Sequence, residues 1–118
     1  MKTVITLFVI LLLTSSCGIF NSLNSNTTIK PNDSFVLGNN KHGTFKVTLK
    51  NISNHELRIF MAPISGGTHS PIVVVPNETV KVKADKNTAL VIENKSSEQA
   101  NVMLKVTGDI GLSMGYKN

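Results

Sequence analysis

Apolar and polar residues alternate along most of the chain beyond residue 34. The segment TFKVTLKN places Phe45, Val47 and Leu49 on one face and lysine or threonine on the other, and ELRIFMA and TVKVKAD repeat this alternation. A period of two is typical of a strand with one buried and one solvated face. PIVVV and TALVIEN are more continuously apolar and β-branched, which predicts strands at a sheet centre or covered on both sides.

Turn-forming residues separate these runs about every ten residues, a spacing typical of a β-sandwich or barrel. They lie at residues 51–54, 66–67, 76–77, 85–87, 94–97 and 108–109. We therefore predict an all-β protein, a single small antiparallel β-sandwich of about seven or eight strands, with a small jelly-roll or β-barrel as the alternative. The apolar phase of the strands predicts the following core residues: Val47, Leu49, Ile59, Val82, Ile92 and Leu104.

One short pattern occurs twice. LKNISNHELRI and IENKSSEQANVML both run from a strand through Asn-x-Ser and a few polar residues into another strand. Asparagine tolerates the left-handed backbone region that tight turns use. We therefore predict an antiparallel hairpin at Asn51 and another at Asn94.

The segments VTLKNIS and VVVPNETVKVKA are similar to strands of small immunoglobulin-like β-sandwich modules. This resemblance implies an immunoglobulin-like arrangement of the predicted sandwich. It implies no activity, because many unrelated functions share that architecture.

The N-terminal residues follow a different pattern. A short basic stretch at residues 1–3 precedes an apolar run at residues 4–13, broken only by Thr6, and small residues follow at 14–16. This order is typical of a signal peptide, which we assign to residues 1–16. The apolar run is too short to remain as a membrane span, which takes about 20 helical residues.

Cys17, the only cysteine, follows directly. An apolar run, small residues and then cysteine resembles the lipobox of bacterial lipoproteins, in which the cysteine thiol is diacylated and the preceding segment is removed. The chain has Thr14 where leucine is usual, and Thr14 with Ser16 also fits ordinary secretory cleavage, which would release a soluble protein. The resemblance implies a membrane anchor at Cys17 in the cell envelope, and Gly18 in place of aspartate favours the outer membrane.

The stretch after Cys17 is rich in Asn, Ser and Thr and has no strand or helix period. Such a composition is typical of a flexible linker. We predict a lipidated cysteine and tether at residues 17–33 and the β-sandwich domain at residues 34–118.

Charge and aromatic content exclude some partners. The chain has a formal net charge of +5, and its densest basic group is Lys81, Lys83 and Lys86, with Asp85 among them and no aromatic residue interleaved. Nucleic-acid sites combine phosphate-binding cations with stacking aromatics, so we expect no nucleic-acid partner. Carbohydrate is disfavoured because the chain has no Trp and one Tyr.

The glycine-rich loop SGGTHSP, with Ser65, Thr68 and Ser70 near His69, is the most suggestive place for a nucleophile and its base. It lacks the strand-turn-helix setting of a nucleophile elbow, and the acids are scattered. A small hydrolase is therefore the least favoured alternative, and we expect no enzyme activity. We predict instead a contact loop of Ser65, Gly66, Gly67, Thr68 and His69.

Three histidines, His42, His55 and His69, together with methionine sulfur suggest copper or zinc binding as an alternative. No two of them have the spacing of a ligand pair, so we expect no cofactor and no metal site. No small-molecule substrate is expected either. The function predicted from the sequence is a lipid-anchored, non-catalytic binding or structural module that contacts another envelope protein.

Overall fold

A computed structural model of the protein describes residues 22–117. These residues form nine strands and no helix. The strands are β1 (Ser22–Ile29), β2 (Asp33–Leu37), β3 (Phe45–Asn51), β4 (Leu57–Pro63), β5 (Ile72–Val74), β6 (Thr79–Ala84), β7 (Thr88–Asn94), β8 (Ala100–Gly108) and β9 (Met114–Tyr116).

The strands form two antiparallel sheets. One has four strands in the order β1-β8-β3-β6, and the other has five in the order β5-β4-β7-β2-β9. Inward-facing side chains of both sheets form one buried apolar cluster. The prediction of an all-β sandwich is confirmed, with nine described strands where seven or eight were predicted.

Strand β1 lies inside the segment predicted as a tether. It pairs with β8 along its whole length, from Ser22 opposite Thr107 to Ile29 opposite Ala100, and Ile29 is fully buried. The prediction that the folded domain begins near Ser34 is therefore wrong for residues 22–33. The signal peptide and residues 17–21 lie outside the described residues.

The composition of β1 explains why its sequence resembles a linker. Two of its inward positions are hydroxyl residues, Ser25 and Thr27, whose oxygens are hydrogen-bonded to each other at 2.7 Å. One hydroxyl donates to the other, so these two polar side chains are paired where they face the sheet interior. The hydrophobic period of the inward phase is consequently interrupted between Leu23 and Ile29.

The core prediction holds at five of its six positions. Val47, Leu49, Ile59, Ile92 and Leu104 are buried. Val82 is only partly buried. It lies on β6, which is an edge strand paired with β3 alone, so its inward face has fewer neighbours than a central strand would provide.

The hairpin prediction is wrong at both Asn-x-Ser sites. The β3–β4 and β7–β8 connections cross from one sheet to the other, and β4 with β5 is the only consecutive pair of described strands that is hydrogen-bonded. Positive φ angles occur instead at Asn32, Asn77 and Asn87. Asn51 and Asn94 are buried, and their side chains hold the two crossings.

Candidate functional site

The predicted contact loop, Ser65 to His69, is exposed throughout. Gly66 and Gly67 have φ angles of 121° and 79°, and a Cβ atom built on either would meet no atom within 4 Å. Glycine is therefore needed at these positions for the positive φ angles and not for close packing. At the end of the loop the amide of His69 donates to the carbonyl of Met61 at 2.8 Å, so the chain lies alongside β4 before β5 begins.

Strand β5, which follows the loop, is an edge strand of the five-stranded sheet. Its side chains are unusually exposed for β-branched residues, with Ile72 at 51%, Val73 at 47% and the following Val75 at 48%. Edge strands are commonly protected by charged residues or proline. Here no Lys, Arg, Asp or Glu occurs in residues 64–75, and the strand is limited by Pro71 and Pro76. We name residues 64–75 the edge segment.

A shallow groove lies beside the edge segment on the outer face of the same sheet. It has a volume of about 580 Å³, and its lining includes Val36, Phe60 and Val91. Thr68 of the predicted contact loop lines it as well. The predicted contact loop therefore borders the groove and leads along the chain into the edge strand β5.

The three histidines lie in different surroundings. The ring nitrogens of His42 face the carbonyls of Gly38 and Gly43, and its ring packs edge-on against Phe45. His69 is exposed beside Arg58. Among residues 22–117 no group of three or more His, Cys, Asp or Glu side chains could hold a metal ion.

His55 belongs to a polar cluster that sequence reasoning did not identify. Its Nε2 atom lies 3.2 Å from Oδ1 of Asn94 and 2.9 Å from Oγ of Ser96. Ser96 Oγ also donates to the carbonyl of Glu98 at 2.8 Å and accepts from the amide of Glu98 at 3.0 Å. The Ser96 hydroxyl therefore stabilises the β7–β8 connection through its hydrogen bonds to Glu98 and His55.

The repeated Asn-x-Ser pattern corresponds to repeated geometry. Asn51 Oδ1 accepts from the amide of Ser53, and Asn94 Oδ1 accepts in the same way from Ser96. Each asparagine Nδ2 also donates to the carbonyl four residues later, at 2.9 Å for His55 and 2.7 Å for Glu98. The same local motif therefore stabilises both connections between the sheets. The repeated Asn-x-Ser pattern marks this motif, although the sequence alone predicts hairpins there.

Asp109 fixes a second connection. Its carboxylate accepts from the amide of Gly43 at 2.7 Å and from that of Gly111 at 2.8 Å. The bond from Gly43, followed by the bond from Gly111, lowers the pKa of this carboxyl from its ordinary value. Asp109 thereby joins the loop before β3 to the chain leaving β8.

The outer face of the four-stranded sheet is basic. Its strands bring together five outward-facing lysines, which we name the lysine face: Lys46, Lys50, Lys81, Lys83 and Lys105. The other outward positions of this sheet are Ser, Thr, Asn and Met103, and none is acidic. None of the five lysines forms a salt bridge with a described residue.

Register gives the lysine face its geometry. Thr48 lies directly between Lys105 on β8 and Lys81 on β6, with Lys46 and Lys50 two residues away along its own strand. Lys46 is directly opposite Lys83. The sequence reveals the polar phase of each strand, but the gathering of lysines depends on which strands are neighbours.

Comparison with protein-family models finds no match, and comparison with curated proteins finds no significant relative. The described residues, 22–117, contain no helical segment that could span a bilayer. Cys17, the predicted lipidation site, lies outside the described residues. The fold and its surfaces are therefore the basis for a functional proposal.

Proposed function

We propose that the protein is a lipid-anchored, non-catalytic binding module of the cell envelope, which contacts another envelope protein through the edge segment. The observation that carries this proposal is the open edge of β5, where Ile72 and Val73 are each about half exposed. The edge ends at Val75, whose amide donates to the carboxylate of Glu78 at 2.9 Å. An exposed apolar edge is a surface to which an extended segment of another protein can add as a further strand.

Strand addition defines the chemistry of the partner. Backbone hydrogen bonds along β5 supply affinity, while alternate side chains of the added strand reach opposite faces of the sheet. Side chains on the outer face lie beside Val73, whose neighbour on β4 is Arg58. The partner segment is therefore extended, free of proline and apolar at alternate positions.

The anchor and the absence of catalysis belong to the same proposal. The resemblance of residues 1–17 to a lipoprotein signal supports attachment at Cys17, and Gly18 supports the outer membrane. The engagement of Ser96 and His55 in turn geometry supports a binding module over a hydrolase.

Site-specific crosslinking in the native cells tests the edge segment. A photoreactive amino acid replaces Val73, or Ile52 as the matched control, which is 41% exposed in the β3–β4 connection. We expect one envelope protein to crosslink at position 73 and not at position 52. The Val73→Lys/Val75→Lys variant should lose that crosslinked partner in co-purification, because charge on an edge strand opposes strand addition.

Folding of the variant is checked by its melting temperature. Since both side chains are half exposed, the double substitution should leave the temperature nearly unchanged. Equal crosslinking from positions 73 and 52, or a crosslink only to a second copy of the chain, would contradict the proposal.

A further inference from the structure

The lysine face carries an electrostatic cost within the fold. Lys46 and Lys83 are directly opposite each other, and like charges in that position destabilise a sheet. The acids nearest to β6 in sequence, Glu78 and Asp85, lie outside the strand at its two ends. The fold thus gathers cations on one face without placing a carboxylate among them.

We propose that the lysine face docks on the anionic lipid headgroups of the membrane that holds Cys17, an inference that rests on the proposed lipid anchor. Lysines near an anionic bilayer are attracted to it individually, and their contributions add. The opposing charge that the sheet lacks is then supplied by the headgroups.

The position of β1 places this face close to the anchor. Ser22 is the first residue of β1 and lies opposite Thr107, which lies opposite Lys46. Five residue steps separate Cys17 from Ser22, and an extended chain spans at most about 3.6 Å per residue, or roughly 18 Å here. The anchor therefore keeps the lysine-bearing sheet within a short distance of the bilayer.

Other features of the face favour lipid over nucleic acid. No aromatic side chain faces outward from the four strands, so base stacking has no platform. Met103 is 47% exposed among the lysines and offers an apolar group to the lipid interface. A shallow depression of 490 Å³ beside it is lined by Asn26, Thr48 and Lys50, whose side chains can donate hydrogen bonds to a phosphate.

Docking of this face is compatible with partner capture. The edge segment belongs to the other sheet, at the end of the strand order. A domain lying on the bilayer through its four-stranded sheet therefore leaves the β5 edge accessible. The two surfaces can be occupied together.

Vesicle binding by the chain without its lipid tests the proposal separately from the anchor and the edge segment. All nine strands and the whole buried cluster lie within residues 22–117, so a chain of residues 18–118 retains them. We expect it to sediment with vesicles of phosphatidylcholine containing about one third phosphatidylglycerol, and not with phosphatidylcholine alone. Salt should weaken this binding because it screens charge.

The decisive comparison uses two variants of equal net charge. Lys46→Gln/Lys81→Gln/Lys105→Gln should lower the vesicle partition coefficient by about 100-fold, on the basis of roughly fivefold per lysine. The control Lys30→Gln/Lys86→Gln/Lys95→Gln, outside the face, should change it much less. Unfolding curves of both variants confirm that each is folded.

Three results would overturn the proposal. Equal losses in the two variants would assign binding to net charge, and equal binding to both vesicle types would exclude headgroup charge. Tighter binding to a DNA duplex than to anionic vesicles would assign the face to nucleic acid. None of these results bears on crosslinking at Val73, so the partner proposal is judged independently.

Discussion

The hydroxyl of Tyr116 donates a hydrogen bond to the carbonyl oxygen of Thr28 at 2.8 Å, which joins the last described strand of one sheet to the first strand of the other. The Tyr116 ring also packs edge-on against Phe35, with 5.6 Å between the ring centroids. One half-exposed side chain thus closes the side of the sandwich where β9 and β1 meet.

Replacing Tyr116 with Phe separates these two contacts. The variant keeps the ring and loses the hydroxyl, so we expect the free energy of unfolding to fall by about 0.5–1.5 kcal/mol. Urea denaturation measures the change. Tyr116→Ala, which loses both contacts, should be less stable than Tyr116→Phe; equal stability of Tyr116→Phe and the unchanged chain would show that the hydrogen bond contributes nothing.

Truncation tests the role of β1. A chain that starts at Ser34 loses the strand that pairs with β8 and the buried side chain of Ile29. It also loses the carbonyls of Ile29 and Lys30, to which Asn94 donates. We expect this chain to lack a cooperative thermal transition by circular dichroism, whereas a chain starting at Ser22 should melt close to one starting at residue 18.

Asn94 should be among the most sensitive polar positions. Its side chain is 1% exposed, and Nδ2 donates to three carbonyls, so Asn94→Ala leaves buried acceptors without partners. We expect a loss of roughly 2–4 kcal/mol in the free energy of unfolding. The exposed Asn54 in the other crossing is the matched control, and Asn54→Ala should change stability by less than about 0.5 kcal/mol.

The lowered pKa of Asp109 predicts that the stability of the fold falls as the solution becomes acidic. Because its pKa is lowered in the folded protein, the carboxylate adds stability at pH 7, and that stability is lost as the pH falls from the unfolded pKa of about 4 through the lowered folded pKa. Asp109→Asn should therefore melt below the unchanged chain at pH 7. This difference in melting temperature should shrink in strong acid, and a difference that is constant with pH would contradict the assigned cause.

Cys17→Ser tests the anchor. Since the thiol is the acylated group in the lipoproteins that residues 1–17 resemble, the variant should lose incorporation of labelled palmitate. It should then be found as unprocessed precursor or as soluble protein. Retention of a correctly cleaved Ser variant in the membrane fraction would remove the basis for the lipid anchor.

Strand content was predictable where one phase of the strand is apolar. Val47 and Leu49 alternate with polar residues on a central strand, so their burial follows from a local period. In β1 the hydrogen-bonded Ser25 and Thr27 separate the inward Leu23 and Ile29, so the local hydrophobic period is interrupted. Val82 has the correct phase but lies on an edge strand, and edge position depends on strand order.

For the candidate surfaces, too, local features were predictable from the sequence and features that depend on strand order were not. The glycines of the contact loop predicted an exposed turn, and the structure places that turn at an open edge. The lysine face could not be read from spacing, because Lys46, Lys81 and Lys105 come together only through the pairing of β3 with β6 and β8. Asn51 and Asn94 carried a visible repeat, but its meaning depended on whether the connected strands share a sheet.

The pairing of β1 with β8 also determines the order in which the chain can fold. Ser22 pairs with Thr107 and Ile29 pairs with Ala100, so β1 cannot pair until the chain has been synthesised beyond residue 100. Contacts of such long range make folding slow compared with that of a locally connected fold. A chain that cannot close its sandwich early remains unfolded for longer during synthesis, which is the state in which a polypeptide can be threaded through a narrow translocation channel.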